Sequence, residues 1–286
     1  MDHSLLVENV RVPRLVYGTA WKEANTARLT EMALRAGFRG IDSANQRKHY
    51  DEAAVGHGVD ATIAYGIVKR DDLFLQTKFT FRSNQDYRLP YDAAAPIETQ
   101  IEQSLASSCR HFGTKVLDAY LLHGPSKRDG LAADDWSAWR AMEAMHDRGT
   151  TRLLGISNVT LEQLELLCKG ARVQPRIVQN RCYAVHGWDR RVREFCRASG
   201  IAYQGFSLLT ANRELLKHSE LVRIAKLHRK TVSQVIFRFA LEVDMIALTG
   251  TTNAEHMHQD LAALEFQLLP DEVARIENVA TTGAVG

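Results

Sequence analysis

From one end of the chain to the other, short apolar runs alternate with longer stretches in which apolar residues recur at helical spacing. A short apolar run bounded by turn residues has the length of a buried strand, and the amphipathic stretch that follows has the length of a helix. The runs fall at 15–18, 38–42, 73–78, 117–123, 153–157, 177–179, 202–206 and 245–249. Helical patterns lie between them at 24–36, 51–65, 97–112, 136–148, 161–169, 190–198 and 232–242, with one more in the tail from 270 to 286. Gly37, Gly113, Gly149 and Gly200 stand just after helical patterns, where a helix C-terminus takes a left-handed residue. Strands alternating with helices predict a parallel sheet, and eight of them in 286 residues predict a closed (β/α)8 TIM barrel, a single α/β domain over 1–286. An open doubly wound sheet would bring a Gly-x-Gly-x-x-Gly fingerprint after a strand, and none occurs. Ahead of the first strand, residues 5–14 predict a short β-hairpin turning at Glu8-Asn9 and closing the barrel floor. The longest irregular stretch, 79–95, is rich in aromatic residues.

Composition narrows the function classes. The chain is 45% hydrophobic and 24% charged, enough apolar residue for one substantial core. Its 36 Lys and Arg against 34 Asp and Glu leave a net charge of +2, too small a surplus to point to nucleic acid or a membrane surface. A small-molecule substrate is the expected partner, and a monomer the default state. The start of the chain lacks a basic head and apolar run, and no apolar stretch approaches the ~20 residues of a membrane span, so a cytoplasmic location is expected. Cys109, Cys168, Cys182 and Cys196 are far apart with no Cys-x-x-Cys pair, and His256 and His258 have a spacing that suits no helical zinc pair; no metal is expected.

In a parallel barrel the chemistry sits at the C-terminal ends of the strands. Those ends are polar here: Asp42, Lys78, His123, Ser157-Asn158 and Gln179-Asn180 close successive strands. A buried lysine beside a buried aspartate makes physical sense as a pair, because either charge alone would cost several kcal/mol. A tyrosine phenol beside the ammonium would have its ordinary pKa of about 10 drawn toward neutrality and so become a usable general acid. Aromatic residues on the expected top face, Trp21, Phe79 and Trp188, are candidates to line an apolar substrate pocket. The bland alternatives are a structural ion pair, a satisfied core histidine, loop packing for the aromatics, and helix capping by Ser157 and Asn158.

Gly-Ile-Asp-Ser-Ala (40–44), Leu-Gln-Thr-Lys (75–78), Asp-Ala-Tyr-Leu-Leu-His (118–123) and Gly-Ile-Ser-Asn (155–158) together resemble the aldo-keto reductases, in order and at strand ends from 15 to 261. The resemblance implies a reductase of a small aldehyde or ketone, with NADP(H), or NAD(H), as hydride donor. It gives the proton to a tyrosine, here Tyr50, tuned by Lys78 and Asp42, with His123 orienting the carbonyl. It also implies that Ser157, Asn158 and Gln179 bind the nicotinamide carboxamide, that Phe206 stacks on the ring, and that Ser207, Gly250, Thr251, His256 and Asp260 complete the cofactor site.

Two stretches depart from the family pattern. The segment from Asp42 to the tyrosine is two residues longer than usual, and counting back from the following helix puts His49 at the tyrosine register, so His49 rivals Tyr50 as the acid. After the eighth strand, the family's charged clamp for the adenosine 2′-phosphate is replaced by Thr249-Gly250-Thr251-Thr252-Asn253 with His256, which predicts weak discrimination for the phosphorylated cofactor, though backbone N–H groups of the helix from Asn253 could cradle a phosphate. These departures keep two alternatives open on the same fold: a lyase, isomerase or cyclase using the acid/base group without redox, and a non-catalytic binding subunit. The short tail predicts an open, permissive pocket.

Overall fold

The computed structural model describes residues 3–280. β1 (Ser4–Val7) and β2 (Val10–Pro13) form the antiparallel hairpin expected at the floor, with Val7 opposite Val10. Its turn places Glu8 and Asn9 at φ 45° and 66°, both in the left-handed region a two-residue hairpin turn demands. The barrel follows as β3 (Leu15–Gly18), β4 (Gly40–Asp42), β5 (Phe74–Phe79), β6 (Leu117–Leu122), β7 (Thr151–Ser157), β8 (Ile177–Arg181), β9 (Ala202–Phe206) and β10 (Met245–Thr249), all parallel, with β10 pairing back on β3 to close the ring. Each strand coincides with an apolar run of the sequence.

Around the barrel run α1 (Thr26–Ala36), α2 (Glu52–Ala64), α3 (Ile97–His111), α4 (Ala133–Asp147), α5 (Leu161–Gly170), α6 (Arg190–Ala198), α7 (Ser219–His228), α8 (Val232–Glu242), α9 (Ala254–Leu261) and α10 (Pro270–Asn278). α7 was not foreseen, because one helix per strand leaves no place for a second amphipathic stretch between β9 and β10. Of the expected tail helix, the part beyond 280 lies outside the described residues.

The strands' period of two divides the core. One parity faces the barrel axis: Val16, Phe74, Ala119, Leu121, Leu153, Ile177 and Ile246 pack there against Val10 and Val12 of the hairpin. The other faces the helices: Tyr17, Ile41, Leu75, Phe79, Tyr120, Ile156 and Val178 belong to the larger core outside the barrel. Since both faces are covered, β5, β6 and β10 are buried throughout. The axial parity, followed upward, ends in Asp42, Lys78, Ser157, Arg181 and Phe206, with His123 one residue past β6, and this brings the polar strand ends to one mouth.

Two devices hold the helices. Thr160, Thr231 and Asn253 accept backbone N–H bonds from Gln163, Gln234 and His256 as N-caps of α5, α8 and α9. α2 crosses α3 so closely that a Cβ on Gly56 would lie 1.8 Å from the His111 carbonyl oxygen. Gly56→Ala removes a helix glycine, which alone would stabilise by up to about 1 kcal/mol. The clash reverses the sign, and urea denaturation is expected to show a net loss of about 1–3 kcal/mol.

Candidate active site

A cavity of about 1240 Å³ opens at the strand ends, and Asp42, His49, Tyr50, His123, Ser157, Asn158, Gln179 and Phe206 all line it. At its base Lys78, with no exposed surface, donates to both carboxylate oxygens of Asp42 at 2.7 and 2.8 Å and to the Ser43 carbonyl at 2.8 Å. Three acceptors at these distances use all three N–H groups of an ammonium, so the pair is ionic. Burial draws Lys78 below its ordinary value, and the Asp42 charge and hydrogen bond oppose the shift. Asp42 Oδ1 also accepts from Gln76 at 2.6 Å and Gln179 at 3.0 Å. Gln76 and Gln204 exchange two bonds of 2.9 Å, and Gln179 donates to Gln204 at 2.8 Å. Gln76 and Gln204 were not singled out in the sequence, although both have the axial parity of Lys78 and Phe206.

Tyr50 stands over this base. The Lys78 ammonium lies 5.6 Å from the centre of the Tyr50 ring, and the His123 ring meets it edge-on at 6.1 Å. A compact turn absorbs the two-residue extension, since the N–H groups of His49 and Tyr50 both bond to the Gln46 carbonyl at 3.0 Å. Asp51 then caps α2 by accepting from the Ala54 N–H at 3.0 Å. His49 is turned to the cavity wall, its ring stacked 3.9 Å from that of Trp21. The expected lowering of the tyrosine pKa is corrected: burial first, and the Asp42 carboxylate second, hold the Tyr50 phenol well above its ordinary 10.0, opposed by Arg181. Lys78 has no N–H left for the phenol, because Asp42 and Ser43 take all three.

His123 is held at both ends. Its Nδ1 shares a 2.7 Å hydrogen bond with the Thr80 hydroxyl, and its carbonyl accepts from Asn158 at 2.8 Å. Burial, then the Lys78 charge, lower the imidazole to about 3, so the ring is neutral at physiological pH with Nε2 as its free nitrogen.

Ser157 donates to the Gln179 carbonyl at 2.6 Å, and Asn158, left-handed at φ 52°, donates to Ser157 at 3.1 Å. Neither caps α5, a role Thr160 fills. At the far side, Ser207, Gly250, Thr251, His256 and Asp260 line the same cavity. Burial raises Asp260, which accepts from Thr249 at 2.7 Å, to about 6. The start of α9 spends one N–H on its own cap, the Asn253 side chain. Two cations absent from the sequence reading stand here as well: Lys22, whose ammonium bonds to the Gly250 carbonyl, and Arg181, at the end of β8.

Two substrate-lining expectations are corrected. Phe79 is fully buried on the helix side of β5, 5.3 Å from the Phe81 ring and 5.5 Å from Tyr91, because the alternation that turns Lys78 inward turns Phe79 outward. Trp188 is fully buried beneath α10, donating to the Ile276 carbonyl at 3.2 Å and packing 5.1 Å from Phe239. Trp21 does line the cavity, 67% exposed, and Phe81 joins it there.

Comparison with known proteins agrees with this geometry. The model of the Aldo/keto reductase family matches residues 14–281. The chain belongs to that family. It is thereby an oxidoreductase by descent. It is 27% identical to the 9,11-endoperoxide prostaglandin H2 reductase of Trypanosoma cruzi (strain CL Brener), over 98% of this chain and 92% of that one. It is 27% identical to human aldo-keto reductase family 1 member C1, over 87% and 81%. The solved aldo/keto reductase of Brucella melitensis superposes with a TM-score of 0.81 at 25% identity, covering 96% of this chain and 98% of its own. An aldo-keto reductase of Bombyx mori shares the fold with a TM-score of 0.82 at 24% identity, over 96% and 92%.

The depressed His123 value carries a sign for pH dependence. The unfolded chain binds this proton between about 3 and 6.5 while the folded chain does not, so the stability His123 confers is complete above 6.5 and is lost as pH falls toward 3. NMR is expected to show the His123 ring neutral down to about pH 5. His123→Gln is expected to lose stability less steeply on acidification than the parent protein.

Proposed function

We propose that this aldo-keto reductase converts the carbonyl of a small aldehyde or ketone to an alcohol, with Tyr50 as proton donor and NADP(H), or with little penalty NAD(H), as hydride source. The observation that carries the reading is the meeting of Tyr50 and His123 over the buried Lys78–Asp42 pair.

The residues fit a nicotinamide group. Gln179 spends its amide nitrogen on Asp42 and Gln204, and Asn158 spends its own on His123 and Ser157, so each keeps a side-chain oxygen free in the cavity beside Phe206. Two free acceptors suit the two N–H donors of a carboxamide. Lys22 and the Gly250–Thr251 backbone would face the phosphates. The Bombyx mori relative was solved in complex with NADP.

When bound, the reduced nicotinamide supplies the hydride to the carbonyl carbon. The carbonyl π pair moves to oxygen, the Tyr50 O–H bond breaks, and its proton goes to that oxygen. A phenol held above its ordinary pKa stays protonated at neutral pH, and an alkoxide, the conjugate base of a still weaker acid, takes its proton. His123, neutral and fixed by Thr80, orients the carbonyl oxygen through Nε2 and returns a solvent proton to the phenolate. The network of Asp42, Gln76, Gln179 and Gln204 holds Lys78 in register beneath the phenol.

Tyr50→Phe is expected to cut reduction of a simple aldehyde at least ~100-fold with NADPH binding retained, and His49→Ala to keep most of the rate. A dead His49→Ala beside an active Tyr50→Phe would reverse the assignment, and turnover without added nicotinamide would favour the non-redox alternative. Among the described residues lining the β10–α9 side there is no arginine, and Lys22 is committed to the Gly250 carbonyl. Titration is therefore expected to give NADPH and NADH dissociation constants within about tenfold of each other.

A further inference from the structure

The side chains lining the cavity carry an unbalanced charge. Lys22, Lys48, Lys127, Arg128 and Arg181 supply five cations, against the two acids Asp42 and Asp260. Asp42 is already neutralised by Lys78, and Asp260 is turned to Thr249 at the β10 side. The chain as a whole is only +2, so the excess is local. Among the described residues none of these five cations has an ion-pair partner, and Lys22 alone is taken up by a carbonyl.

Of these five, Arg181 is the cation whose charge acts on the Tyr50 phenol. It ends β8 with the axial parity of Gln179, its Cα in register with that of Phe206, and its guanidinium lies 5.4 Å from the centre of the Phe206 ring. Arg181 is exposed at its strand end, as Lys48 is on the β4–α2 loop and Lys127 and Arg128 are on the loop after β6, but of these four Arg181 alone is placed by a barrel strand. A guanidinium with no hydrogen-bond or ion-pair partner among the described residues, lying over an aromatic face, keeps its planar fork available.

Building on the reductase reading, we propose that the substrate is a carbonyl compound bearing a carboxylate, and that Arg181 is the residue that binds it. The one cation placed by a barrel strand over the Phe206 ring matches a single negative charge, which favours a carboxylate over a doubly charged phosphate ester. The rim cations Lys48, Lys127 and Arg128 would raise the local concentration of such anions and speed their entry.

The test compares two substrate pairs, phenylglyoxylate with its methyl ester and 4-carboxybenzaldehyde with its methyl ester, in the full-length enzyme and in Arg181→Met and Arg181→Lys. Two readouts are taken: kcat/KM with NADPH, and equilibrium binding of the same compounds by calorimetry without cofactor. In the parent enzyme the acid of at least one pair is expected to bind and react better than its ester, by a ratio that falls with added salt. Arg181→Met is expected to lower that ratio by roughly 10- to 100-fold, the scale of a charge-assisted hydrogen-bond pair, and Arg181→Lys by less. Equal treatment of acid and ester in both pairs, or a ratio unchanged in Arg181→Met, overturns the proposal. So does a loss confined to NADPH affinity, which would assign Arg181 to the cofactor. If no aldehyde is reduced at all, the reductase reading falls, and calorimetry still decides the carboxylate site.

Discussion

The buried Lys78–Asp42 pair is the interaction on which the site depends. An ammonium with no exposed surface requires a counter-charge and full hydrogen bonding, and both come from the end of the neighbouring strand β4. Asp42 also binds Gln179, from β8 on the opposite wall, so the network spans the closed barrel rather than lying along one edge. Closure makes this geometry possible: axial side chains from non-adjacent strands meet only when the sheet returns on itself. Tyr50 and His123 are thus placed over a floor that the barrel holds fixed, and the loops need supply only their reach.

Desolvation sets the protonation states above that floor. It keeps His123 neutral and Tyr50 protonated, while Lys78 and Asp42 cancel each other. Among the described residues, Arg181 is the cation whose charge opposes burial at the phenol. A reacting carbonyl gathers negative charge on oxygen, and a neutral environment with one positive group to the side is suited to it. The same arrangement would discriminate among substrates by charge.

Loop geometry decides which of two adjacent residues stands over the Lys78–Asp42 pair. The turn on the Gln46 carbonyl folds the extension back on itself, so Tyr50 reaches the floor while His49 packs on Trp21. The aromatic segment after β5 supports this loop from outside: Gln46 donates to the Asn84 carbonyl at 2.7 Å, and Gln85 to the Asn45 carbonyl at 2.8 Å. Much of that segment is therefore a buttress, with Tyr91 bonded to the Thr80 carbonyl at 2.7 Å.

The sequence by itself determined the eight strands, the single barrel and the polar strand ends, because the apolar period and the position of a residue at the end of a run are local properties. The same period of two also marks Phe79 as outward and Arg181 as inward, both legible in principle. Only the tertiary structure could decide the rest. Tyr50 rather than His49 meets Lys78 because of one backbone turn. Trp188 enters the core because Gly187, Trp188 and Asp189 are left-handed in succession. The phenol's pKa lies above rather than below its ordinary value because burial, and then the Asp42 carboxylate, outweigh Arg181, while Asp42 and Ser43 leave no Lys78 N–H for it. Burial, proton affinity and the partner a side chain finds are sums over neighbours distant in sequence, and they exist only once the barrel has closed.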